Sequence, residues 1–68
     1  MNKSKLIYCL DGPHKGTSCT AVIKHNNVYL PLHDNPFYKI AVYFVTPRVT
    51  KLGESVAMLS HCIKRERP

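Results

Sequence analysis

Tyr8-Cys9-Leu10-Asp11-Gly12-Pro13-His14-Lys15-Gly16-Thr17-Ser18-Cys19-Thr20-Ala21-Val22-Ile23 sets an apolar segment on either side of a turn that holds two glycines, a proline and a lysine. Glycine reaches positive φ without a Cβ clash, and proline presets φ near about −65°. Gly12, Pro13 and Gly16 can therefore reverse a strand sharply and hold the reversal. The stretch is read as the first hairpin of a small β domain.

The neighbouring residues extend that reading. Residues 1 to 4 are polar and expected to be loose. Leu6, Tyr8 and Leu10 alternate with Lys5, Ile7 and Cys9, as a strand with one partly wet face would. Beyond the turn, Cys19, Ala21 and Ile23 share one side of a second strand, with Thr20, Val22 and Lys24 on the other. His25-Asn26-Asn27-Val28 can turn tightly, because asparagine tolerates the left-handed region, and this marks a second hairpin. Val28, Leu30 and Leu32 then line one face of a third strand. Pro31 cannot donate a ladder hydrogen bond, so this strand is expected at an edge or with a bulge. After the loop His33-Asp34-Asn35-Pro36, the run Phe37 to Val45 is rich in aromatic and β-branched residues on both faces. It is expected to be the central strand, covered on two sides and ended by Thr46-Pro47.

The last segment, Ser55 to Glu66, reads two ways. As a helix it aligns Leu52, Val56, Leu59 and Ile63 on one stripe, with basic residues at its C-terminal end. As a strand it sets Val56, Met58, Ser60 and Cys62 against Ala57, Leu59, His61 and Ile63, which separates apolar from polar poorly. The spacing favours the helix. The fold expected is β-rich: a small antiparallel sheet or half-open barrel of four to five strands, forming one domain over residues 1–68.

Size limits what such a domain can do. At 68 residues it has little core to spare, which disfavours a multistep active site and favours binding through a surface. Ten Lys and Arg against four Asp and Glu give a net charge of +6, pointing to acidic partners. The cations are dispersed apart from Lys64-Arg65-Arg67, as on an ordinary solvated surface. Three cysteines with no paired spacing, no signal-like apolar core and no apolar run of spanning length lead us to expect a cytoplasmic protein without a membrane partner.

No stretch announces catalysis or a metal. Cys9, His14 and Cys19 flank the turn and His61-Cys62 lies downstream, but no C-x-x-C occurs. A cysteine alternating with apolar residues in a strand is ordinarily a small buried hydrophobe. The four acids, Asp11, Asp34, Glu54 and Glu66, form no close pair. We expect no cofactor, no metal and no enzymatic activity. Aromatics interleave with cations instead: Tyr8, Tyr29, Phe37, Tyr38 and Tyr43 alongside Lys15, Lys24, Lys39 and Arg48. Rings exposed on a sheet can stack bases while lysines neutralise phosphates. Against that, a chain this short needs aromatics inside, and Tyr38, Tyr43 and Phe44 are expected there. Tyr29, opposite the core face of an edge strand, is the best candidate for a working ring.

Asp11-Gly12-Pro13-His14-Lys15-Gly16, followed by a β-branched run and Asn26-Asn27-Val28-Tyr29-Leu30, resembles the KOW motif over residues 6–32, with Cys19 where that family has a further glycine. The motif is a G-P-x-K-G turn in the SH3-like barrels of NusG-type elongation factors and some ribosomal proteins. The resemblance implies a non-catalytic SH3-like barrel docking on RNA or on a transcription or translation complex. Lys15, Lys24, Tyr29, Lys39 and Arg48 would make the contact, with Gly12, Pro13 and Gly16 forming the turn. A second expectation is a small virus-encoded modulator that inhibits a host enzyme or defence protein by direct binding. Such a protein would offer an edge strand to an acidic protein surface, and the same edge could pair two copies as a homodimer.

Overall fold

The computed structural model describes residues 4–66. The expected loose lead lies outside them except for Ser4, as does Arg67 of the terminal basic cluster. The chain forms five strands, β1 (Ser4–Cys9), β2 (Ser18–Val22), β3 (Asn27–Pro31), β4 (Tyr38–Val49) and β5 (Ser55–Lys64), with a 3-10 turn at Gly12–His14. They make one sheet in the order β2-β1-β5-β4-β3.

The first hairpin forms as read: β1 and β2 pair antiparallel, with Ile7 opposite Cys19 and Lys5 opposite Ala21. Gly12 and Gly16 both have positive φ, at 75° and 81°. The second reversal also forms. His25 and Asn26 have φ of 50° and 65°, and Lys24 and Asn27 exchange both backbone hydrogen bonds, at 2.9 and 2.8 Å, the pattern of a tight two-residue hairpin loop. Beyond that bridge β2 and β3 part, and they become the two opposite edges of the sheet. The sheet thus curls until its edges meet at one corner, without closing into a barrel.

Three expectations need correction. The C-terminal segment, left open between helix and strand with the spacing favouring the helix, is a strand; it is the middle one, antiparallel to β4 and parallel to β1 through Ile7–Ser55, Tyr8–Val56 and Cys9–Ala57. The sheet is therefore mixed rather than antiparallel. Helical spacing misled because β5 slips register between Val42–His61 and Tyr43–Leu59. This bulge at Ser60 breaks strict alternation, so Leu59 and Cys62 both reach the core. Secondly, β4 is interior but not central, and it runs through Pro47 to Val49. Pro47 is tolerated because the β4–β5 ladder slips between Val45 and Val49, where no donor is needed. Thirdly, Phe44 is not core. It is 40% exposed on the face opposite Tyr43.

The core lies on the concave face, where Ile7, Cys9, Val28, Leu30, Leu32, Ala41, Tyr43 and Ala57 pack together. Tyr43 is its largest fully buried side chain. The Tyr43 hydroxyl accepts from the His14 N–H at 2.9 Å and donates to the Asp11 carbonyl at 2.8 Å. It pins the glycine-proline turn to the sheet. Asp11 Oδ1 accepts from the Leu59 N–H at 2.7 Å, holding the same turn to β5.

Candidate binding seam

Alternation of backbone hydrogen bonds decides what the two edges offer. Leu32 N–H donates to the Lys39 carbonyl, so Leu32, Leu30 and Val28 spend their main-chain groups on β4. Those of Asn27, Tyr29 and Pro31 then point away, toward β2. Cys9 N–H donates to the Thr17 carbonyl, so residues 17, 19 and 21 face β1, and Ser18, Thr20 and Val22 present N–H and C=O to β3. The Lys24–Asn27 bridge sets the register in which Val22 would meet Tyr29 and Thr20 would meet Pro31. Pro31 has no N–H to give, which is one physical reason the sheet stays open there.

The result is a groove of about 660 Å³ lined by Thr20, Ala21, Val22 and Lys24 on one wall and by Tyr29, Leu30 and Pro31 on the other. It continues along the same edges into a second hollow of about 390 Å³ bordered by His14, Ser18, Cys19 and His33. Neither lining includes a carboxylate. At this far end His14 Nε2 lies 3.1 Å from the Pro31 carbonyl oxygen. A carbonyl only accepts, so His14 carries the proton on Nε2 and donates it. The seam is thus stitched at both ends, by a hairpin loop and by an imidazole, and its middle is unpaired.

The structure brings only two of the expected contact residues together. Lys24 and Tyr29 face each other at the lip of the groove, and Tyr29 is 50% exposed. Lys15 is exposed at the other end of β2, beyond the 3-10 turn. Lys39 and Arg48 stand near opposite ends of β4, roughly 30 Å apart at about 3.3 Å per residue. Lys39 Nζ is also 4.0 Å from Glu66 Oε1. The five do not form one stripe. The sequence reading missed Thr20, Val22, Leu30 and His14. Pro31 was the available signal, since it marked where a strand pair must fail.

The cysteines Cys9, Cys19 and Cys62 are free thiols, and Cys9 is buried. Burial, then Cys19 and Asp11 nearby, push the Cys9 thiol up to about 11. Burial also raises the Tyr43 hydroxyl, against the lowering effect of the His14 N–H. Among the described residues no three of His, Cys, Asp and Glu gather as metal ligands, and no helix is long and apolar enough to cross a membrane. No protein-family model matches the sequence, no curated protein matches it, and no solved structure matches the chain.

Proposed function

We propose that this protein is a non-catalytic binding module that takes an extended segment of an acidic partner protein along the open edge of β2. The observation that carries this is the row of main-chain groups on Ser18, Thr20 and Val22, bordering a largely apolar groove that no strand among the described residues fills. Strand addition draws affinity from such groups and specificity from the side-chain sites beside them. Lys24 at the lip and a chain charge of +6 select an acidic segment and speed its encounter. A protein that captures a partner's strand in this way acts as a modulator of that partner. The second reading, RNA contact as the KOW resemblance implies, draws support from Lys24 beside Tyr29 at the same lip, a cation next to a stacking ring. The scatter of the other cations favours the protein partner.

Thr20→Pro separates the two. It removes an N–H aimed at the seam while leaving the β1 ladder intact. Immobilised chain should retain an acidic protein from nuclease-treated extract, lose it in Thr20→Pro and keep it in Thr20→Ala. Recovery of nucleic acid from untreated extract and of no protein after nuclease, with affinity falling steeply as salt rises, would reject the strand-addition reading.

A further inference from the structure

The turn between β4 and β5 carries a leucine that the fold does not use. Gly53 N–H donates to the Thr50 carbonyl at 2.9 Å and Thr50 N–H to the Glu54 carbonyl at 2.8 Å, so Thr50–Gly53 is a β-turn with Lys51 and Leu52 at its two corners. Such corners ordinarily hold Gly, Pro, Asn, Asp or Ser. Leu52 instead stands 82% exposed, and Val49 just before the turn is 66% exposed. Charge at this tip is one-sided. The register of β1 with β5, Ile7 beside Ser55, sets Leu6 level with Glu54 and Lys5 level with the turn. Over residues 4–9 and 46–57 the charged residues are Lys5, Arg48, Lys51 and Glu54. The three cations are exposed, whereas Glu54 is 6% exposed. Its Oε1 accepts from Thr50 Oγ1 at 2.9 Å, and its N–H donates to that same oxygen at 3.1 Å. The one acid in these segments is thus folded into the turn and braces it. The 12 residues of β4, at about 3.3 Å each, run much of the molecule's 41 Å length, so the tip stands at one end of the body.

We propose that this tip is a lipid-surface contact: Leu52 and Val49 enter the headgroup layer of an anionic bilayer, and Lys5, Arg48 and Lys51 meet its phosphates. Aliphatic side chains set among cations match such a surface, which is negative outside and apolar just below. The long stems of Lys51 and Arg48 keep their charges at the phosphates as Leu52 goes deeper. Two other kinds of partner fit less well. A nucleic acid would engage the cations and leave both aliphatic side chains in water. A protein partner needs roughly 800 Å² from each side of a stable interface, more than a four-residue turn supplies. The expectation of no membrane partner rested on the lack of a spanning run, which a turn seated at the surface does not need.

Flotation of the full chain with vesicles of phosphatidylcholine alone, or of phosphatidylcholine with phosphatidylglycerol, tests this in about 0.1 M and about 0.5 M NaCl. The expected result is recovery with the phosphatidylglycerol vesicles only, reduced in the higher salt. Lys51→Gln should lower the partition coefficient about fivefold and Leu52→Ser at least about threefold, with the circular dichroism spectrum retained. Lys64→Gln, at the other end of β5, should leave it within about twofold. The chain has no tryptophan, so Leu52→Trp gives a single reporter, expected to shift to the blue on these vesicles and to be quenched by brominated lipid. Failure to float with phosphatidylglycerol vesicles in the lower salt overturns the proposal, and so does a reporter that stays in water. Equal losses in Lys51→Gln and Lys64→Gln with none in Leu52→Ser overturn it in favour of diffuse charge attraction. Binding of single-stranded RNA that Lys51→Gln weakens, without vesicle binding, overturns it in favour of a nucleic-acid contact.

Discussion

Replacing Gly12 by alanine tests how the glycine-proline turn is held. Gly12 has φ of +75°, and a Cβ there would lie 2.8 Å from the Tyr43 hydroxyl oxygen and 3.0 Å from both Leu59 Cβ and Cδ2. Left-handed backbone costs an L-residue about 1–2 kcal/mol. Tyr43 cannot swing aside, because it is fully buried with its hydroxyl bonded on both sides, so overpacking adds about 1–3 kcal/mol. The total, about 2–5 kcal/mol, compares with about 3–10 kcal/mol for a whole domain of 68 residues. Gly16 supplies the control within the same turn. Its φ is +81° but nothing lies within 4 Å of an added Cβ, so Gly16→Ala should cost only the backbone contribution, about 1–2 kcal/mol. Urea unfolding followed by circular dichroism measures both, and a shift in midpoint with unchanged slope reports stability alone. In a Tyr43→Phe background the nearest clashing atom is gone, and the cost of Gly12→Ala should fall by about 1 kcal/mol. Equal costs at Gly12 and Gly16, or no coupling between Gly12 and Tyr43, would refute the idea that the tyrosine hydroxyl is the reason for glycine at this position.

Other consequences can be measured on the same protein. Burial holds the Cys9 thiol at about 11 against an ordinary 9.0. The unfolded chain therefore loses that proton first, and the Cys9 contribution is complete below about pH 9 and lost as pH rises through about 11, on the order of 2–3 kcal/mol in all. Cys9→Ala should flatten that alkaline decline, and an unchanged decline in thermal melts would remove Cys9 as its cause. Pro31→Val restores an N–H opposite Thr20; it should zip β2 to β3, slow amide exchange at Thr20 and Val22, and weaken partner capture, whereas exchange as fast as in the parent would show that proline is not what keeps the seam open. Arg65 donates from Nε to the Asn35 carbonyl and from Nη2 to the Leu32 carbonyl, both at 2.7 Å. Arg65→Lys should accelerate exchange across His33–Phe37 and cost about 1 kcal/mol of stability, and protection equal to the parent's would argue against the fork as the tether.

The hairpins were legible because their chemistry is local. Gly12, Gly16 and Asn26 had to take the left-handed backbone they do take, and Pro31 had to lie at an edge. The character of β5 was hidden because one of its two ladders, the parallel one to β1, is with a strand far away in sequence, and the other, to β4, slips register. A bulge at Ser60 turns both Leu59 and Cys62 inward, and that irregularity imitates helical spacing. The parallel partnership of β1 and β5 carries no mark in either strand. Of the contact residues, Lys24 and Tyr29 share a place because a two-residue loop brings them together. Lys15, Lys39 and Arg48 were chosen by residue type, and type says nothing about which end of a strand meets which.

That the middle strand follows in sequence both of the pairs it joins bears on the order in which the sheet assembles. β1–β2, β3–β4 and β4–β5 are each local antiparallel pairs, whereas the parallel ladder of β5 to β1 brings together residues some 48 positions apart. Such a distant pairing forms slowly, and until it does the facing flanks of β1 and β5 carry unsatisfied main-chain groups. The closing of β1 onto β5 is therefore the step on which folding waits, and those two flanks are where an incompletely folded chain is open to capture.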